Sequence, residues 1–185
     1  IAGAIRGSER FHLLIAPEDQ AHMLAYAEKL DALLTPYPRG STVPLARVIA
    51  PLFGHAHASG GDAAGENRAA FTALAAYLSG ISLPKLLEGD SRSIRRAPRV
   101  LLSVHGRRDF AEHFMISAAL TVNGGSRLAN AIGLIKEEED ANTGSGFSFT
   151  DLAANRAGVK LGERATGEGA VQVQQQLSAV RSDAD

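Results

Sequence analysis

Cysteine is absent from this 185-residue chain, which excludes thiol catalysis, disulfides and thiolate metal sites together. Tryptophan is absent too, and three tyrosines with seven phenylalanines are too few for a strand-rich sandwich. Excess charge of either sign is missing. Nineteen basic residues meet twenty acidic ones, a formal net charge of -1, so the chain offers no footprint for nucleic acid or an anionic membrane surface. No apolar run reaches the roughly 18–20 residues that a membrane span requires, and no signal-like segment is visible. The first residue is Ile1 rather than methionine, which is compatible with a leader or lipid anchor ahead of it.

What is present is alanine and leucine at helical spacing. The expected fold is mainly α: a compact helical domain of about six helices, with at most a short extended segment near 99–104. One helical domain over 1–165 and a loosely packed terminal segment over 166–185 complete the expected organisation. The first helix begins near Pro17, whose ring suits a first turn, with Glu18 and Asp19 complementing its positive end. The stretch TPYPRGSTVP breaks it. LARVIAPLF forms a shorter helix, and the glycines of GHAHASGGDAAG read as a loop carrying His55 and His57. Glu66 to Leu78 is helical again; its ENR start, Glu66 to Arg68, reads as a solvated face braced by local charge pairing. A broken, charged connection follows, then RVLLSV as the strand candidate and a helix from Arg107 to about Val122. Ser126 caps the next helix, and Ser148 with Asp151 forms a capping box, stapled by Phe147 and Leu152, at the head of the last long one.

The helix RRDFAEHFMISAAL carries the chemistry. Its apolar residues leave little surface for water, yet Asp109, His113, Ser117 and Thr121 recur every four residues along one side. Buried polar groups without partners cost about 1–3 kcal/mol, so another element must supply them. A matching line exists: Asp151, Asn155, Gly158 and Gly162 fall at steps of four, three and four. The glycines let two helix axes approach, bringing Asp151 or Asn155 to the facing helix. Between the two helices lies the KEEED segment, where the apolar face of Leu128, Ala131, Ile132 and Ile135 points toward Glu138 and Glu139 while Lys136 and Asp140 sit four apart to pair on the other side, so that one or more acidic groups are expected to reach the same interior. The expected polar cluster is therefore Asp109, His113, Ser117, Glu137, Asp140, Asp151 and Asn155, with Phe114 and Gly158 as structural residues.

Two chemistries fit that cluster. A carboxylate one turn before a histidine orients its ring, for structure or for general-base work. DFAEH also has the spacing of an H-x-x-E-H zincin helix with aspartate in place of the first histidine. A divalent metal would then sit on Asp109, His113 and a third ligand from His105, Glu137 or Asp151, with Glu112 as the general base of a metal-dependent hydrolase. The HAH pair is a weaker metal motif, and GSGFS lacks the lysine and preceding strand of a phosphate loop.

The ordered set HF, SA, KEEED and GSGFSFTDLAANRAGVKLGE resembles the YfiM-type bacterial envelope lipoproteins and, more distantly, VanZ-like proteins. The resemblance spans Asp109 to Glu163, under a third of the chain, and falls on His113, Phe114, Ser117, Lys136, Glu137, Asp140, Asp151, Asn155 and Gly158. It departs from VanZ-like proteins in lacking a membrane span, and it does not cover the first hundred residues. It implies a periplasmic or envelope-associated bacterial protein of no established activity, acting as a binding or structural module. An accessory subunit of a membrane assembly, using alanine-rich faces as contact surfaces, is a further alternative.

Overall fold

A computed structural model describes residues 19–81, 99–124 and 149–184. Six helices and a two-stranded parallel sheet are found among them: α1 (Gln20–Leu34), β1 (Thr42–Pro44), α2 (Ala46–Ser59), α3 (Ala63–Leu78), β2 (Leu101–Ser103), α4 (Arg108–Gly124), α5 (Phe149–Thr166) and α6 (Ala170–Ala179). The chain is mainly helical, in a compact domain, as its composition implies. The expected helix after Ser126, the Ser148 cap and the Phe147 staple lie outside the described residues, as do Lys136 to Asp140 and the connection over 82–98.

The helix α3 is the centre. Its alanines Ala69, Ala70, Ala73, Ala75 and Ala76 are buried along with Phe71, Leu74 and Leu78. A helix that is apolar on every side must be surrounded, and α1, α2, α4, α5 and α6 all pack on it. It starts cleanly because Asp62 accepts hydrogen bonds from the backbone N–H groups of Ala64 and Gly65 at 3.3 and 3.0 Å. The helix α1 lays Met23, Tyr26, Leu30 and Leu34 against it, a spacing of three and four that makes one face. Phe53 of α2 meets Phe71 with ring centroids 4.8 Å apart. These alanines serve the interior of the domain.

The segment expected as a loop around His55 and His57 is helical: α2 runs on to Ser59 and stops only at Gly60, whose φ of +67° suits a left-handed cap. Gly54 inside it costs only about 1 kcal/mol of helix propensity, which packing outweighs. Pro51 is tolerated on the exposed side, where the carbonyl of Arg47 that it leaves unpaired can meet water. The proline-rich break after α1 contains β1, which the sequence did not announce. It pairs in parallel with β2, Val43 opposite Leu102, the helices α2 and α3 forming the crossover. Tyr77 at the end of α3 fixes the strand: its hydroxyl donates to the carbonyl of Val100 and accepts from the Val100 N–H, both at 2.9 Å.

The terminal segment departs from the loose packing expected of it. Ala170, Val173 and Gln174 of α6 are buried. The amide of Asn67, fully buried on α3, donates to the carbonyls of Ala165 and Ala170 at 2.9 and 3.0 Å, and Gln174 donates to the carbonyl of Ala63 at 3.3 Å. These bonds clamp the α5–α6 turn to the central helix. The ENR reading is overturned with it: Glu66 and Asn67 are both buried, and Arg68 pairs across to Asp19 at 3.2 Å.

Candidate functional site

The helices α4 and α5 make the most extensive contact between the described elements. Gly158 and Gly162 explain how close they come. A Cβ at Gly158 would lie 2.1 Å from the backbone oxygen of Phe114, and one at Gly162 would lie 2.7 Å from the Cβ of Thr121 and 2.9 Å from the oxygen of Ala118. Only hydrogen fits there. The close approach brings the polar stripe of α4 onto α5.

At the contact, Asn155 is the hub. Its side-chain oxygen accepts from the hydroxyl of Ser117 at 2.9 Å and lies 3.2 Å from Nδ1 of His113, the ring nitrogen that then carries the proton. The other nitrogen of the ring, Nε2, lies 3.5 Å from Oδ2 of Asp151, an ion pair when the imidazole is protonated. His113, Ser117 and Asn155 are buried, and Asp151 sits at the rim. Nδ2 of Asn155 is buried with no hydrogen-bond partner among the described residues, so this amide works through its carbonyl. Thr121 closes on its own helix, donating to the carbonyl of Ser117 at 2.8 Å.

Asp109 does not join the cluster. Arg107 takes it, through a bond from Nε to Oδ1 at 3.2 Å and a second, shorter one from Nη2 to Oδ2. The bonding to Arg107 foremost, and its positive charge after it, hold the Asp109 carboxyl below the usual carboxylate range against an opposing effect of burial. The same guanidinium lies 3.8 Å over the ring of Phe110, 3.4 Å from the hydroxyl of Thr150 and 3.6 Å from Oδ1 of Asp151. Glu112 is likewise engaged, by Arg108 one turn earlier at 2.8 Å. His105, offered as a third metal ligand, sits in a tight turn: with Gly106 it adopts φ of +50° and +75° between the paired residues Val104 and Arg107. Its backbone N–H is bound to Asp183 at 2.7 Å. Phe114 is partly buried against the core. Glu137 and Asp140 lie outside the described residues.

The structure thus gathers His113, Ser117, Asp151 and Asn155, with Gly158 beneath them, and leaves Asp109, Glu112 and His105 on other partners. Among the described residues no three histidine, aspartate or glutamate side chains are grouped to hold a metal ion. Arg107 is the member that sequence reasoning passed over. Its signal was the His-Gly pair of VHGRRD, a two-residue turn of the kind that reverses the chain and aims the following side chain.

Because Asp109 owes its depressed titration to Arg107, replacing Arg107 with alanine is expected to raise the midpoint at which Asp109 protonates, followed by carbonyl-detected NMR. The sign follows from linkage: a depressed folded-state value contributes stability above the unfolded value, and the contribution is lost as pH falls through the folded one. An unmoved midpoint would show that Arg107 does not hold the carboxylate.

Comparison with family models, with curated proteins and with solved structures gives no match to this chain.

Proposed function

We propose that this chain is a helical binding or structural module of the bacterial envelope, in which the His113, Asp151 and Asn155 cluster locks α4 to α5. The observation that carries the locking role is the engagement of both ring nitrogens of His113 by residues of the facing helix, Asn155 at 3.2 Å and Asp151 at 3.5 Å. A side chain clasped on both edges and largely shut from solvent sets helix register better than it meets a substrate. The envelope assignment rests on the resemblance to YfiM-type lipoproteins over Asp109 to Glu163. No described helix is long and apolar enough to cross a membrane.

The hydrolase reading needed Asp109 and Glu112 at liberty, and arginines hold both. His113→Ala decides between the readings. As a lock, His113 should cost about 2 kcal/mol when removed, from the lost bond and the space left, lowering the melting temperature by roughly 4–8 °C in a chain of this size. An unchanged melting temperature, together with a stoichiometric metal ion that the variant loses, would replace the module by the hydrolase. Fractionation of cells tests the envelope assignment, and recovery of the chain only with cytoplasmic proteins would remove it.

A further inference from the structure

The helix α5 has two sides of different character. Asn155, Gly158, Gly162 and Ala165 face inward and are buried. On the opposite side Phe149, Ala153, Arg156, Lys160 and Arg164 are exposed, at steps of four, three, four and four, so they form one row along the helix. The row is roughly 22 Å long at about 1.5 Å of rise per residue. It carries three cations against one exposed carboxylate beside it, Glu163, so the near-balance of charge over the whole chain is not shared by this face.

The cations are available. Ion pairs among the described residues engage Arg68, Arg107 and Arg108, whereas Arg156 and Lys160 enter none, and Arg164 reaches the neutral amide of Gln176 at 3.4 Å. The phenylalanine at the head of the row is 79% exposed; Phe149 and Val171 are the large apolar side chains that the described residues leave exposed. The row runs along the convex outer side of a helix, a shape that suits a flat surface better than a single peptide strand. Ala153 and Ala157 are small enough to let that surface approach the whole row. Arginine and lysine stems reach out to phosphates on such a surface, while an aromatic ring enters the boundary between headgroups and chains.

We propose that the outward face of α5 docks on the headgroups of an anionic phospholipid bilayer, with Arg156, Lys160 and Arg164 pairing with phosphates and Phe149 sinking its ring below them. Each basic side chain near such a surface is worth about a factor of five in partitioning, and Glu163 takes back about one such factor. The ring supplies the apolar anchorage that charge alone lacks. Attachment is therefore reversible and sensitive to salt, the described helices lying on the bilayer rather than crossing it. The proposal rests on the chemistry of α5 and not on the envelope assignment, so vesicle binding and cell fractionation are decided separately.

Co-sedimentation of the full chain with vesicles tests it, equal parts of phosphatidylglycerol and phosphatidylcholine being compared with phosphatidylcholine alone. The chain is expected to pellet with the first and stay in solution with the second, and to be released as salt is raised. Arg156→Gln combined with Lys160→Gln should weaken binding about 25-fold, and Phe149→Ser at least about tenfold. Arg47→Gln, at an exposed position of α2, should bind as the parent does. All of these side chains are exposed, so melting temperatures should stay at the parent's, which separates loss of docking from loss of the His113 lock. Equal binding to both vesicles, no binding to either, or full binding by the double variant would overturn the proposal. So would retention on immobilised polyglutamate without binding to vesicles, which would assign the face to an acidic protein.

Discussion

Gly158→Ala should lower the melting temperature by roughly 6–12 °C, the largest effect expected of a single methyl group in this protein. Intrinsic preference points the other way, since alanine in a helix is favoured over glycine by about 1 kcal/mol. Geometry decides the sign. The new carbon would lie 2.1 Å from the backbone oxygen of Phe114, and that oxygen belongs to a helix and cannot swing aside as a side chain would. The helices must move apart, loosening His113 and Ser117 from Asn155 as they do. A net loss of about 3 kcal/mol is the expected balance, at the upper end of overpacking costs. Gly54→Ala supplies the control, because its Cβ would meet only the Cβ of Ser178, at 3.8 Å, an ordinary contact. It should leave stability unchanged or raise it. A Gly158→Ala protein that melts no lower than the parent would mean that α4 and α5 do not pack in this register.

Asn155→Ala should cost about 2–3 kcal/mol. The residue is an acceptor for two buried donors, and they do not suffer equally when it goes. The Ser117 hydroxyl can turn to a carbonyl of its own helix one turn back, an alternative open to any mid-helix serine. The Nδ1 proton of His113 has no such freedom, since the ring is pinned towards Asp151 on its other edge. Most of the loss should therefore pass through His113. In a double-mutant cycle, His113→Ala and Asn155→Ala should couple by about 1 kcal/mol, measured by denaturant unfolding with unchanged dependence on denaturant. Strict additivity would show that the two side chains act separately.

The α4–α5 contact could be read from the sequence because each helix shows its facing line every three or four residues, and glycines on one line imply a close partner. Arg107 could not be, since its role depends on a two-residue turn that carries the guanidinium to Thr150 and Asp151, more than forty positions later. Asp109 was misassigned for a local reason: the i, i+4 rule named His113 as its partner, but an arginine two residues earlier offered a stronger one. Glu66 illustrates the other limit. At the head of a helix a glutamate ordinarily faces water and complements the positive end. Here Tyr26, forty residues earlier, covers it, a fact belonging to tertiary packing alone. The terminal helix looked loose because its polar glutamines mask a narrow apolar edge, and Gln174 is itself an inward-facing donor.

The clamp from Asn67 to Ala170 joins positions 103 residues apart, and that from Gln174 to Ala63 spans 111. On a ribosome adding about 5–20 residues per second, the central helix therefore emerges roughly 5–20 s before the segment that seals its flank is made. For that interval the flank of the central helix that α5 and α6 cover stands open to the surrounding solution, so the nascent chain exposes apolar surface that the finished fold buries.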